Sequence, residues 1–473
     1  MKFIIIYNEF ENINHNSYID IINRINSNEI YIIYNQNLKR LNFEEKISDL
    51  YKNKSFYFSA VDYITRSVIE TAYVGIKNFI LKNEDEIVFL HKIDPSLNVN
   101  NVEFKENFFG YSNLSNCCGI YGYKNIEIFN KYSKKVLLEN IEINNNINSF
   151  LKVYELMAFN NEEIIPLFIE ELNEDYLLLS DKSNLDFHSL KESELINNKV
   201  KNNKYNTLTK KNNEIIKNGK FSILIGELNF YRNIPEDLSV FFPKLTDFTI
   251  DEVNQICQLK INYINGIPLF FLHKNELISD KIIDDLFNIL NEIHNCKYEI
   301  SINETNIHNN YFKKLEDRFN KKDYFFQDAE EIFQIIKEDL KKNYCPKIVG
   351  VIHGDFWFPN ILLEYCGNFK LIDMKGQVDD KLTLNGDKYY DYGKLYQCIL
   401  GFDLYMNDCK IYHEYMYNIE KYFLKKCQEK QLNIDYLKAV TNSLTFGTFH
   451  AIEEDETKIR IWNFLKKQMN IFT

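Results

Sequence analysis

The sequence predicts an α/β domain with a mostly parallel sheet, followed by an α+β domain that becomes helical toward its end. In the first part of the chain short apolar strands alternate with helical segments, a pattern typical of α/β sheets with helices on both faces. Residues 191–219 are rich in Lys and Asn and can bury little surface, so they indicate a boundary. Beyond them, most apolar residues recur at helical spacing.

The composition excludes several classes of partner. The 473 residues suffice for two or three domains, and the net charge of −12 argues against binding to nucleic acid or to an anionic membrane. Nine cysteines without a C-x-x-C pair indicate a reduced compartment, so we expect a cytoplasmic protein. No apolar run approaches the ~18 residues of a membrane span, and the N-terminus turns acidic too soon for a signal peptide. The oligomeric state is not predicted.

The α/β domain is expected over residues 1–190. Strands are predicted at 3–7, 30–34, 55–59 and 87–90, and helices near 44–51 and 68–81. Asp94 follows the last of these strands, and ligands of such sheets bind at the carboxyl ends of the strands. In outline, the pattern is similar to the nucleotidyltransferase and glycosyltransferase-A fold, which handles nucleotide sugars.

The chain departs from that fold where phosphates would bind. A phosphate-cradling loop after the first strand needs glycines, yet the first glycine of the chain is Gly75. The Asp-x-Asp metal motif is represented at best by Lys92-Ile93-Asp94. We therefore expect a degenerate domain that recruits substrate or has no catalytic role. An active nucleotidyltransferase is the alternative.

The strongest chemical signal is a polar loop between two apolar runs. The loop contains His353-Gly354-Asp355, Asn360 stands five positions after Asp355, and the second run ends at Asp373. This spacing matches the catalytic loop of kinases, in which the Asp takes the proton of the acceptor hydroxyl and the Asn holds magnesium. Asp373 would be the second ligand, because Mg²⁺ takes few protein oxygens. The alternative is a glycine turn between buried strands, capped by Asp and Asn.

This segment resembles the aminoglycoside phosphotransferase and choline kinase family, whose members phosphorylate small molecules with ATP. More narrowly, Gly386 to Leu395 resembles a stretch in phosphotransferase-like proteins of capsular polysaccharide biosynthesis. That resemblance implies that Asp391 starts a helix and braces the catalytic loop, although the residue could equally be a helix N-cap and nothing more. Asp355 and His353 would be the catalytic residues, with His353 orienting the backbone of the loop rather than acting as a base.

The resemblance also implies a bilobal protein-kinase-like domain. After a linker at 191–204, residues 205–268 would form the N-lobe and hinge, and 269–473 the helical C-lobe. By the order of elements in the family, Lys210 would contact the donor phosphates and Glu227 would hold it. Lys211 is the alternative, since the strand register cannot be fixed from sequence.

The hinge is expected at the end of a strand of the N-lobe. By the resemblance, backbone groups around Tyr263 and Ile264 would hydrogen-bond adenine. From the residues alone, the same segment is an edge strand followed by a turn at Gly266 and Pro268.

These features together predict an ATP- and Mg²⁺-dependent kinase with a small-molecule acceptor, serving capsular or other surface-polysaccharide biosynthesis. The acceptor hydroxyl could belong to a sugar, an amino alcohol or an amino acid. Asp379, Asp380 and Asp387 could favour a cationic acceptor, although an exposed loop is the simpler interpretation. The alternatives are a bifunctional kinase and nucleotidyltransferase, and a pseudokinase scaffold without chemistry.

Overall fold

The computed structural model describes ten segments of the chain: residues 1–7, 21–22, 24–91, 93, 106–111, 118–139, 149–169, 206–211, 213–320 and 324–471. Asp94 and the linker predicted at 191–204 lie outside these residues. By the distribution of contacts, the chain divides into two units, Met1–Leu195 and Ile196–Thr473.

The N-terminal unit is an α/β sheet structure. Its described elements are β1 (Lys2–Tyr7), β2 (Glu29–Asn35), a 3₁₀ turn (Gln36–Leu41), α1 (Phe43–Leu50), β3 (Ser55–Val61), α2 (Val68–Ile76), β4 (Ile87–Leu90), β5 (Asn107–Tyr111), β6 (Ile120–Tyr123), α3 (Ile126–Glu139), α4 (Ser149–Phe159) and β7 (Ile164–Phe168). The strands that are described form one sheet in the order β3-β2-β1-β4-β6-β5-β7.

Most neighbouring strands of this sheet run parallel, as the sequence predicts. β1 pairs in parallel with β2 and β4, β2 with β3, and β5 with β7. Only β6 runs antiparallel to its described neighbours β4 and β5. The central strands carry unbroken apolar runs because helices cover both faces of such a sheet. The helix predicted over 68–81 is shorter than expected and ends at Ile76.

The C-terminal unit begins with an antiparallel sheet and one helix. The elements are β8 (Asn206–Lys211), β9 (Glu214–Lys220), α5 (Phe221–Asn233), a 3₁₀ turn (Glu236–Phe241), β10 (Leu245–Asp251) and β11 (Ile256–Asn262). The strand order is β10-β11-β9-β8, which leaves β8 at one edge and β9 inside. Leu224 and Leu228 of α5 pack on Cys257 and Leu259 of β11.

The remainder is mainly helical. Its elements are β12 (Gly266–Pro268), α6 (Leu269–Lys274), α7 (Asp280–Asn295), α8 (Glu304–His308), a π-helical turn (Asn309–Lys313), α9 (Lys314–Phe319), α10 (Ala329–Asn343), β13 (Ile348–Val349), a 3₁₀ turn (Phe358–Asn360), β14 (Ile361–Glu364), β15 (Phe369–Leu371), β16 (Gln377–Val378), β17 (Lys381–Leu382), β18 (Gly386–Asp387), α11 (Lys388–Ile399), α12 (Phe402–Met406), α13 (His413–Glu429), α14 (Ile434–Phe446), a 3₁₀ turn (Phe449–Ala451) and α15 (Asp455–Gln468).

An aromatic cluster holds the far end of these helices together. Phe333 of α10, Phe446 of α14, and Trp462 and Phe464 of α15 are buried in one core with Phe449. Such rings bury large apolar areas and dominate the stability of a core. Within the described residues, no helix is long and apolar enough to cross a bilayer.

Candidate active site

A short hairpin joins the two motifs of the polar loop. β14 and β15 pair antiparallel, and beyond their last pair the Ile372 N–H donates to the Asn360 carbonyl at 3.0 Å. The Lys375 N–H then donates to the His353 carbonyl, also at 3.0 Å. The hairpin therefore carries Asn360 and the segment around Asp373 to the same end, beside the loop.

Within the loop, Asn360 is fixed through one half of its amide. Its Nδ2 donates to the Asp355 backbone carbonyl and to Asp355 Oδ2, each at 3.1 Å. Among the described residues no hydrogen bond reaches Asn360 Oδ1, which leaves that oxygen for a ligand from outside. The spacing of five positions thus orients an amide oxygen and a carboxylate together.

Asp391 braces the loop of Asp355 by accepting hydrogen bonds from its backbone. Its buried carboxylate accepts from the backbone N–H of His353 at 2.9 Å and of Gly354 at 2.7 Å, and His294 Nε2 lies 3.0 Å from it. Gly354 has φ +78°, a conformation that costs glycine little. The interpretation of Asp391 as a helix N-cap is wrong, because Asp387 caps α11 by accepting from the Tyr389 N–H.

His353 is placed to order the loop rather than to take a proton. Its ring is fully buried, and burial lowers its pKa, which favours the neutral imidazole. The Asp355 backbone N–H donates a hydrogen bond to Nδ1 at 3.2 Å. The histidine therefore shapes the backbone that presents Asp355.

The lysine that meets Glu227 is Lys217, not Lys210. Lys217 Nζ lies 2.9 and 2.7 Å from the two Glu227 oxygens and 2.5 Å from Asp373 Oδ1. Lys217 and Glu227 are buried, whereas 40% of the Asp373 side chain is exposed. Although burial opposes the charge, the two carboxylates raise the pKa of Lys217, which stays an ammonium. We refer to these three residues as the triad.

Strand register explains why Lys210 and Lys211 are wrong for this contact. Lys210 and Lys211 lie on the edge strand β8, and the Lys210 ammonium rests 3.4 Å from the centre of the Tyr263 ring. Lys217 lies on the inner strand β9, which pairs with β11 and faces α5. The sequence carries a signal for it, since Ile215-Ile216 precedes Lys217 in a strand-like run just before the α5 helix. The surrounding Asn and Lys residues hide that strand in a stretch interpreted as a boundary.

Two glycines let α5 approach the segment after Asp373. A Cβ placed on Gly226 would lie 2.2 Å from the Lys375 carbonyl oxygen, and one on Gly376 would lie 1.9 Å from the Gly226 carbonyl oxygen. Asn229 of α5 also donates to the Gly376 carbonyl at 3.0 Å. Asp373 itself has φ +61°, a conformation uncommon outside glycine that occurs at functional sites. This contact positions the triad.

At the expected hinge, one backbone group is already hydrogen-bonded and two are open to a ligand. The Tyr263 N–H already donates to the Asn213 carbonyl at 2.9 Å, so it cannot bind adenine while that bond persists. In the described part of the chain, the Tyr263 carbonyl and the Ile264 N–H make no backbone hydrogen bond. A donor and an acceptor thus remain at the end of β11.

Asp355 is held as a carboxylate by a lysine from another element. Lys394 Nζ, on α11, lies 3.0 Å from Asp355 Oδ1. Despite burial, Lys394 and Lys375 lower the pKa of Asp355 below its usual value. About a third of the side chain, 32%, remains exposed, so a substrate can reach it.

The donor set suits a hard, oxygen-preferring cation such as magnesium. Asp373 is partly exposed and Asn360 Oδ1 is open, and one carboxylate with one amide oxygen suits a hard cation that completes its shell with phosphates and water. The described residues contain no group of three or more His, Cys, Asp and Glu side chains arranged around a metal. The site therefore fits a cation brought in with a nucleotide.

The three acidic residues suggested for a cationic acceptor do not form an acceptor pocket. Asp387 is buried at the N-terminus of α11, where Tyr311 and Tyr436 donate to it. Asp379 accepts from Asn309, and Asp380 is exposed. These contacts support helix and loop structure.

Neither a protein-family model nor a curated protein matches the chain. Solved structures similar to the chain include aminoglycoside phosphotransferase APH(4)-Ia with AMP-PNP and hygromycin B, at 12% identity and TM-score 0.42, covering 57% of this chain and 91% of that one. ADP-bound aminoglycoside phosphotransferase APH(2'')-Ib is 18% identical with TM-score 0.36, covering 59% of this chain and 96% of that one. A nucleoside-diphosphate-sugar pyrophosphorylase from Vibrio cholerae RC9 is 12% identical with TM-score 0.28, covering 37% of this chain and 98% of that one. Values this low leave the question of function to the side chains.

Proposed function

We propose that the C-terminal unit is an ATP- and Mg²⁺-dependent phosphotransferase acting on a hydroxyl of a small molecule. The observation that supports it most is the triad, in which Lys217 binds both Glu227 and Asp373 beside the loop of Asp355 and Asn360. An isolated glycine turn would need no buried lysine joined to two carboxylates from separate elements. Phosphoryl transfer needs this combination of cation, metal ligands and base.

Each side chain has a role that follows from its position. Lys217, held by Glu227, would neutralise the donor phosphates, while Asn360 Oδ1 and Asp373 would hold magnesium. Magnesium, when bound, neutralises charge on the transferred phosphoryl group. Asp355 would accept the proton of the acceptor hydroxyl as the hydroxyl oxygen bonds to the γ-phosphorus and ADP leaves. Catalysis on this plan is positioning and charge neutralisation.

The end of β11 would hold the base of the nucleotide. The Ile264 N–H and the Tyr263 carbonyl supply one donor and one acceptor, the pattern that an adenine edge requires. The Lys210 ammonium makes a cation–π contact with the Tyr263 ring, so that lysine would shape the hinge rather than contact phosphate.

The acceptor hydroxyl belongs, on this proposal, to a sugar, an amino alcohol or an amino acid used in capsular or other surface-polysaccharide biosynthesis. The N-terminal unit would recruit substrate. The support for this setting is the Gly386 to Leu395 resemblance, with Asp391 bracing the loop.

ADP formation tests the proposal. The full chain would be incubated with Mg·ATP and a panel of hydroxyl compounds, and acceptor-dependent ADP release measured against the Asp355→Asn variant. We expect at least one acceptor to stimulate ADP release in the wild type, and none in the variant. A wild type that neither releases ADP with any acceptor nor binds Mg·ATP in calorimetry would overturn the proposal.

A further inference from the structure

Two lysines donate to one buried tyrosine beside the loop of Asp355, and two further cations, Arg318 and Lys394, lie close enough to influence its charge. Lys375 Nζ donates to Tyr390 Oη at 2.8 Å, and Lys314 Nζ donates to the same oxygen at 3.2 Å. Tyr390 is only 2% exposed, whereas Lys314, Arg318, Lys375 and Lys394 are half-buried. We name these four residues the cationic cluster.

Three elements build the cluster, so its position does not depend on a single flexible side chain. Tyr390 and Lys394 are four residues apart on α11 and therefore share a face. Lys314 and Arg318 stand in the same relation on α9. Lys375 comes from the loop that follows β15.

The cluster borders the group that would receive the acceptor. A Cβ on Gly354 would lie 2.6 Å from Lys375 Cβ, so Lys375 packs on the residue next to Asp355. Lys394 contacts the Asp355 carboxylate at 3.0 Å. Two members of the cluster, Lys375 and Lys394, thus lie beside Asp355.

The protein balances this positive charge only in part. Despite burial, Lys314, Lys375 and Lys394 lower the pKa of Tyr390 well below its usual value, which favours an anionic phenol oxygen among the cations. Within the described residues, Lys394 has a carboxylate partner, whereas Lys314, Arg318 and Lys375 form no salt bridge. Burial and the adjacent Lys375 lower the pKa of Lys314 well below its usual value, because Tyr390 offsets their effect only in part. Half-buried like charges held together are costly unless an anion joins them.

We propose that the acceptor carries an anionic group, a phosphate or a carboxylate, which the cationic cluster binds while the acceptor hydroxyl lies at Asp355. This inference rests on the proposed phosphotransferase function and narrows its substrate class. A planar guanidinium and two ammonium groups suit the oxygens of such an anion. A cationic acceptor would be repelled from the same place.

Inorganic phosphate tests the binding part of the proposal. Calorimetry would measure phosphate binding to the full chain with AMP-PNP and Mg²⁺ present, in the wild type and in the Lys314→Ala/Arg318→Ala variant. We expect the variant to bind phosphate roughly tenfold more weakly or worse. The matched control is Lys341→Ala/Lys421→Ala, which removes two exposed lysines and should leave the affinity unchanged. Equal phosphate affinity in the wild type and the cluster variant would overturn the proposal.

Four hexoses that differ in charge test the acceptor class and separate the two sources of the anion. Glucose, glucosamine, glucose 6-phosphate and glucuronate would each be assayed for binding under the same conditions. We expect cluster-dependent binding of the phosphate sugar, the acid sugar or both, in preference to the neutral and cationic sugars. Preference for glucose or glucosamine would overturn the proposal.

The two proposals can fail separately. If phosphate binding depends on Lys314 and Arg318 but the wild type neither forms ADP with any acceptor nor binds Mg·ATP, the phosphotransferase proposal fails and the anion site stands. If ADP forms with neutral acceptors and the cluster variant binds phosphate as tightly as the wild type, the phosphotransferase proposal stands and the acceptor inference fails.

Discussion

The two sides of the catalytic loop carry opposite unmatched charges. On one side, the triad sets one lysine against two carboxylates, with Asp373 exposed at its edge. On the other side, the cationic cluster gathers four cations with Asp355 as its one carboxylate partner among the described residues. An acidic surplus suits a metal cation, and a basic surplus suits an anion. On the two proposals above, the loop would separate a site for a metal-bound nucleotide from a site for a charged acceptor.

The largest expected effect is on the acidic side. Asp373→Ala should lower turnover by roughly 10³-fold or more, because it removes a magnesium ligand needed in the transition state. ADP release under saturating acceptor would measure it. The matched control is Asp380→Ala, which removes an exposed carboxylate of a nearby loop and should leave turnover within about twofold. Near-normal activity of Asp373→Ala would remove the metal assignment.

Replacing Lys217 should reduce turnover far more than replacing Lys210. Lys217→Ala should reduce turnover by roughly 10²-fold, since the donor phosphates lose their cation, and should lower the free energy of unfolding by about 3 kcal/mol because Glu227 is left buried without a partner. Lys210→Ala should change turnover by less than about threefold. Kinetics and chemical denaturation of both variants would check this. A larger loss of turnover in Lys210→Ala than in Lys217→Ala would indicate that Lys210, not Lys217, contacts the donor phosphates.

The close contact that positions the triad can be broken from the helix. Gly226→Ala should lower the free energy of unfolding by about 2 kcal/mol, because the new methyl meets the Lys375 carbonyl oxygen at 2.2 Å. The control is Gly393→Ala, whose methyl would meet side-chain methyls of Val440 at 2.9 Å and Leu444 at 3.2 Å rather than a backbone carbonyl, and should cost less. Urea denaturation of both variants compares them, and a stabilised Gly226→Ala variant would contradict the packing.

The smallest expected effect is on the basic side and depends on pH. The pKa of Lys314 is lowered by burial and by Lys375, so in the fold the protonated form is disfavoured and its cost is present at pH values below the lowered pKa. Lys314→Met should therefore stabilise the protein by about 1 kcal/mol at neutral pH. The gain should shrink as the pH rises toward 10.5, the ordinary value for lysine.

Urea denaturation at several pH values would measure this difference, with Lys421→Met as the exposed control. A wild type more stable than Lys314→Met at neutral pH, without added anion, would show that the cluster is balanced.

The sequence predicts the residues of the loop better than those of the sheet. The fixed spacing of Asp355 and Asn360 determines their contact, because a short turn leaves little freedom over five positions. The Lys217 to Glu227 contact depends on which strand lies inside the sheet, and that is decided by pairing with β11, distant in sequence. A slip of one residue in such a strand moves every side chain to the other face.

The cationic cluster could not be assembled from sequence for the same reason. Helical spacing links Tyr390 to Lys394 and Lys314 to Arg318, whereas these two pairs and Lys375 come together through tertiary packing. The acidic residues Asp379, Asp380 and Asp387 were more visible because they are close together in the chain. Asp387 is buried with tyrosine partners and Asp379 accepts from Asn309, so closeness in sequence was a poor guide to a shared site.

Binding of AMP-PNP, measured by calorimetry with and without Mg²⁺ in the wild type and in Lys217→Ala, tests most directly whether the acidic side is a nucleotide site. We predict binding that strengthens with Mg²⁺ in the wild type and is weakened roughly tenfold or more in the variant. Failure of the wild type to bind AMP-PNP, or binding indifferent to both Mg²⁺ and Lys217, would contradict the phosphotransferase proposal.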